Sequence, residues 1–184
     1  AFTRRFGPLA DTGMTSRYAP PGYPDLFTVT NIKGEGGARS ETYNAAQQWH
    51  TDQSFLPVPA RASMLRCELA PQNGGDTMFS STCAVYDSLS DGLRETLGRL
   101  QAFHTLLNTR CLVMVGRKAL QDDEKVKVEG AMHPVVLVHP DTGRKALYIS
   151  DQMTDCFDGW TVAESKPRRW TTTSRRWTSR RTTA

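Results

Sequence analysis

Trp49-His50-Thr51-Asp52-Gln53-Ser54-Phe55 places an imidazole and a carboxylate two residues apart. In an extended backbone, residues i and i+2 point to the same face. One divalent cation can then touch both side chains with no special loop. A neutral imidazole plus one carboxylate is two thirds of the 2-His-1-carboxylate set that holds non-heme Fe(II) and leaves positions open for substrate and O₂. Alone, the spacing is a weak signal, because it also suits a solvated surface loop. The segments on either side change its weight.

On the N-terminal side, residues 1–40 are rich in turn formers. Pro20-Pro21-Gly22-Tyr23-Pro24 is a rigid, non-helical bend. Residues 26–30 (Leu-Phe-Thr-Val-Thr) have strand composition. Gly34 to Gly37 then reads as a flexible loop leading into the His50 segment.

On the C-terminal side, residues 62–69 read as a strand, closed by Pro71 and the turn Asn73-Gly74-Gly75-Asp76. Residues 81–99 look helical in two short pieces, with Val85, Leu89, Leu93, Leu97 and Leu100 near helical spacing. Ser90 before Asp91 is the expected N-cap of the second piece. Residues 100–107 return to strand, and residues 116–130 read as an exposed loop or frayed helix. Residues 134–139 form a β-branched strand, Asp141-Thr142-Gly143-Arg144 turns the chain, and residues 145–150 return antiparallel. Short strands with a helical insertion predict an α+β, mainly β fold of sandwich or jelly-roll type.

A chain of 184 residues suits one domain with a real core. Its 38% hydrophobic and 23% charged content is ordinary for a globular protein. No apolar run approaches bilayer length and no charged-then-apolar leader opens the sequence, so the expectation is a cytoplasmic protein without membrane contact. Cys67, Cys83, Cys111 and Cys156 are scattered, which predicts reduced thiols and no zinc site.

The formal charge of +4 is unevenly placed. Residues 166–184 hold seven of the 23 basic residues and no acid, leaving 16 basic residues against 19 acids in residues 1–165. A nucleic-acid partner is not expected, since its footprint would be a basic face on a folded body. Pro167-Arg168-Arg169-Trp170-Thr171-Thr172 is echoed by Ser174-Arg175-Arg176-Trp177-Thr178-Ser179. Such a basic, low-complexity tail is expected to be disordered.

Three blocks stand in order: Trp49-His50-Thr51-Asp52 with Phe55, then Gly74-Gly75-Asp76-Thr77-Met78-Phe79, then His133-Pro134-Val135-Val136 through His139-Pro140 to Gly143-Arg144-Lys145-Ala146-Leu147-Tyr148. Together they resemble the taurine dioxygenase-like (TauD/TfdA) family of Fe(II)- and 2-oxoglutarate-dependent dioxygenases. The resemblance implies a double-stranded β-helix, or jelly roll, over residues 1–165. It implies that His50 and Asp52 are catalytic metal ligands and that Thr77 hydrogen-bonds the 2-oxoglutarate carboxylate. Fe(II) would be the cofactor and 2-oxoglutarate the co-substrate, decarboxylated to succinate while O₂ oxidises a small organic acid, sulfonate-like or related. The sequence leaves room for a homo-oligomer.

The family also uses a second histidine and a later arginine that pairs the far carboxylate of 2-oxoglutarate. No histidine follows His139. His104, His133 and His139 read as structural, with the His104 ring satisfied by backbone, and Arg144 as a solvated turn residue. The expectation is a family member incomplete at the C-terminus, its tail resembling a shifted reading frame. The alternative is a catalytically impaired remnant or pseudoenzyme. Taurine itself fits poorly. Taurine-using members carry a histidine in the loop matching residues 11–18 and an asparagine at the position of Ala46. This chain has neither. Arg17 and Tyr18 are the residues there that suit an anionic substrate.

Overall fold

Ser81 opens the first helix. Its side chain accepts a hydrogen bond from the Ala84 amide at 3.3 Å, satisfying a donor that the first turn leaves without a helical partner. The computed structural model describes residues 2–9, 19–23, 26–30, 48–70, 72–107 and 130–165. Within these, α1 spans Thr82–Asp87 and α2 spans Asp91–Leu97. Arg94 of α2 turns back on α1. Its Nε donates to the Tyr86 carbonyl at 3.2 Å, a second guanidinium nitrogen reaches the Asp87 carbonyl, and the group lies over the Tyr86 ring. The C-terminal carbonyls of α1 thus find a cationic partner.

Five short strands follow: β1 Gln101–His104, β2 Ala131–Pro134, β3 Val136–Val138, β4 Lys145–Leu147 and β5 Thr154–Phe157. A last turn of helix, α3, covers Val162–Ser165. Three strands form an antiparallel sheet in the order β2-β1-β5, and β3 pairs with β4 as an antiparallel hairpin. Val135 joins the two. Its N–H donates to the Leu100 carbonyl at 3.0 Å and its C=O accepts from the Tyr148 amide at 2.8 Å. The residue is fully buried. The expected strand at 134–139 is therefore one extended run that changes sheets at Val135.

The main core holds Tyr86, Leu97, Ala102, Val135, Leu147 and Phe157, with Val85, Leu89, Leu93 and Leu100 packed against it. The helical periodicity read from sequence thus marks the core-facing side of α1 and α2. A second cluster joins Phe55, at the end of the His50 segment, to Leu106 and Met153. Arg144 is exposed, as expected of a solvated turn residue, and its guanidinium also reaches Asp87 of α1 at 2.7 Å.

Three strand expectations are corrected. Residues 26–30, residues 62–69 and the His50-Thr51-Asp52 stretch are assigned to no strand. Residues 61–70 are exposed, Leu65 and Leu69 included. Strand composition produces a strand only where a neighbour completes the ladder, and none of the described strands pairs with these segments. The described residues build two small sheets and no closed barrel. Among them, no helix is long and apolar enough to cross a membrane. Cys67, Cys83 and Cys156 form no disulfide. The expected loops at 11–18, 34–37 and 116–129, with Arg17, Tyr18, Ala46, Cys111 and the tail at 166–184, lie outside the described residues.

Candidate metal centre

His50 and Asp52 face each other, with Nε2 and Oδ1 3.2 Å apart. The backbone between them is irregular and turns at Asp52, so local loop geometry, not a strand pleat, brings the groups together. Each is oriented through its far atom. His50 Nδ1–H donates to the Gln48 carbonyl at 2.8 Å, and the Ser63 hydroxyl donates to Asp52 Oδ2 at 2.5 Å. The first bond fixes a proton on Nδ1 and turns Nε2 toward Asp52.

The hydrogen bond to Asp52 raises the His50 pKa above its ordinary value against the opposing effect of burial, and the Gln48 carbonyl adds to it. The bond to His50 holds the Asp52 carboxyl below the usual carboxylate range, again against burial, with Ser63 contributing. The Asp52 side chain is 52% exposed, and an ion pair that open to water contributes only about 0–1 kcal/mol.

The donor set fits a divalent ion at two corners. Small divalent ions bond nitrogen and oxygen at about 2.1 Å, so adjacent octahedral corners lie about 3 Å apart, close to the observed spacing. Among the described residues, no group of three or more His, Cys, Asp or Glu is placed to hold a metal. The other histidines have different partners. His104 is 1% exposed; its ring has the expected backbone partner, at Tyr148, and its Nδ1 also lies 3.0 Å from the Ser54 hydroxyl. His133 Nε2–H donates to the Leu56 carbonyl at 3.0 Å, and His139 Nδ1 accepts from the Asp141 amide at 3.3 Å.

Thr77 is exposed and follows Gly74 and Gly75, both at positive φ. That turn geometry accounts for the glycines. No described hydrogen bond links Thr77 to His50 or Asp52. Four residues of the neighbourhood escaped sequence reading: Ser63, the Gln48 carbonyl, Ser54 and the polar role of His104. Ser63 and Gln48 act through contacts that no spacing rule encodes. Ser54 and His104 had one cue, a polar residue beside buried apolar ones.

The turn after Asp52 is unusual. Gln53 has φ +59°, and the Leu56 amide closes the turn on the Gln53 carbonyl at 3.0 Å. A side chain other than glycine in this left-handed region costs about 1 kcal/mol. The reversal sends Asp52 toward His50 and buries Ser54 and Phe55.

A family model described as taurine catabolism dioxygenase TauD, TfdA family matches residues 1–168. Pentalenolactone F synthase of Streptomyces avermitilis is 32% identical over 166 residues, covering 80% of this chain and 52% of the relative. The alpha-ketoglutarate-dependent 2,4-dichlorophenoxyacetate dioxygenase of Cupriavidus pinatubonensis is 34% identical over 174 residues, covering 90% of this chain and 60% of the relative. The chain thus spans little more than half the length of these relatives. The crystal structure of AAD-2 in complex with Mn(II) and N-oxalylglycine superposes with a TM-score of 0.57 at 28% identity, covering 73% of this chain and 51% of that one.

Proposed function

The chain belongs to the taurine catabolism dioxygenase TauD, TfdA family, and on that footing we propose that His50 and Asp52 are protein ligands of an Fe(II) centre. The centre serves 2-oxoglutarate-dependent oxidation of a small organic acid. The observation that carries this reading is the 3.2 Å approach of His50 Nε2 and Asp52 Oδ1, with the outer atom of each already engaged by Gln48 or Ser63. Relatives named as alpha-ketoglutarate-dependent dioxygenases support it, as does a structural neighbour holding Mn(II). The jelly roll belongs to the same reading, with the Val135 corner as the kind of sheet switch such folds use.

The chain's own residues set three conditions. Gln48 fixes the His50 tautomer, so the ring offers a lone pair once its second proton leaves. Ser63 holds one carboxylate oxygen of Asp52 and leaves the other toward His50. Thr77, exposed beside a glycine turn, is the hydroxyl assigned to the 2-oxoglutarate carboxylate. The bound ferrous ion would supply Lewis acidity and redox capacity toward O₂. The substrate is a small organic acid, in keeping with a relative named for 2,4-dichlorophenoxyacetate.

Succinate formation from 2-oxoglutarate, with Fe(II) and ascorbate, tests the proposal. The expected result is turnover in the wild-type chain and none in His50→Ala or Asp52→Ala. Equal rates in wild type and both variants would overturn it.

A further inference from the structure

Two histidines outside the candidate centre reach the same turn. His104 lies on β1 and His133 on β2. In register, His104 faces Ala131 and His133 faces Ala102. All four residues are buried. Each imidazole thus stands opposite a methyl group, which leaves room for two rings on one sheet face. The rings pack edge to face, centroids 5.5 Å apart.

From this platform, His104 Nδ1 meets the Ser54 hydroxyl and His133 Nε2–H meets the Leu56 carbonyl, each at 3.0 Å. Phe55, between them, enters the cluster with Leu106 and Met153. Ser54 and Leu56 are therefore fastened to the sheet, and Phe55 between them is buried, starting two positions after Asp52. His50 is oriented locally by Gln48. Asp52 is different. It sits just before a left-handed Gln53, and its side chain is more than half exposed. An ion pair that exposed does not hold its own geometry.

We propose that His104 and His133 are positioning residues that set Asp52 against His50 by pinning the turn formed by Gln53, Ser54, Phe55 and Leu56. The inference rests on the reading of His50 and Asp52 as metal ligands. Partners that orient a ligand typically change metal affinity about 10- to 100-fold when removed.

The test is Mn(II) affinity of the full chain, read from the EPR signal of free Mn(II) under conditions where circular dichroism shows each variant folded. His104→Ala and His133→Ala are expected to weaken binding about 10-fold. His104→Asn, which keeps a polar nitrogen or oxygen near the Nδ1 position, recovers most of it. Ser54→Ala removes one hydroxyl with little packing change and gives the same loss if the histidine variants do not fold. Leu97→Ala, a core change on α2, lowers stability without changing affinity. Wild-type affinity in Ser54→Ala, or an equal loss in Leu97→Ala, overturns the positioning role. Wild-type affinity in His50→Ala overturns the metal reading itself, and no Mn(II) binding by the wild-type chain overturns both.

Discussion

His104 lies face to face with Tyr148, ring centroids 5.3 Å apart and planes within 19°. Burial, followed by the neighbouring His133, lowers the His104 pKa to about 4. Burial also raises the pKa of the Tyr148 hydroxyl. The pair is thus an uncharged stack. In the unfolded chain His104 takes up a proton near pH 6.5, whereas in the folded chain it waits until about pH 4. Between those values the unfolded state binds more protons, so stability falls as pH falls through the window. The loss due to His104 amounts to about 2 kcal/mol on going from pH 7 to pH 5. Urea unfolding at the two pH values should show His104→Asn losing about 2 kcal/mol less than the wild-type chain.

Gly130 precedes β2 with φ +125°. A Cβ there would lie 2.5 Å from Phe103 Cζ and 2.6 Å from the His104 carbonyl oxygen. Part of that crowding is backbone and cannot swing away. Gly130→Ala should therefore destabilise the chain by more than about 2 kcal/mol, from the forbidden φ and the clash together. Thermal unfolding followed by circular dichroism measures it. A loss within a few tenths of a kcal/mol would show that β1 and β2 separate more easily than their register indicates.

The two helices differ at their first residue. Ser81 caps α1 with its side chain, while Ser90 precedes α2 without a side-chain cap bond. Ser81→Ala should cost about 1 kcal/mol and Ser90→Ala only a few tenths. Urea midpoints of the two variants compare them directly. The reverse order would place the working cap where the sequence pattern alone puts it.

Much of this was legible in the sequence. The leucine spacing from Val85 to Leu100 marked a buried helix face because its period is local. The β3–β4 hairpin was legible because a run rich in valine leads into a glycine turn. Residues 62–69 misled, because their strand composition says nothing of whether a partner strand lies alongside. β5 was missed, since Thr154-Asp155-Cys156-Phe157 shows no alternation of polar and apolar residues. α3 carries a local signal of its own: Thr161 and Glu164 bond each other's backbone amides at 2.8 and 3.2 Å, a reciprocal cap three residues apart. At the candidate centre, the spacing of His50 and Asp52 points to a shared face on an extended backbone, whereas a turn at Asp52 brings them to 3.2 Å. The anchoring of their loop through His104 and His133 depends on contacts 50 and 77 residues distant in sequence, and no local pattern encodes these.

Val135 gives its donor to one sheet and its acceptor to the other. Neither layer can swing open without breaking a bond at that residue, and a fully buried amide has no water ready to replace it. The hairpin and the three-stranded layer are accordingly tied together at one buried residue. The same residue thereby links Tyr148, at the end of the hairpin, to the end of the strand that carries His133.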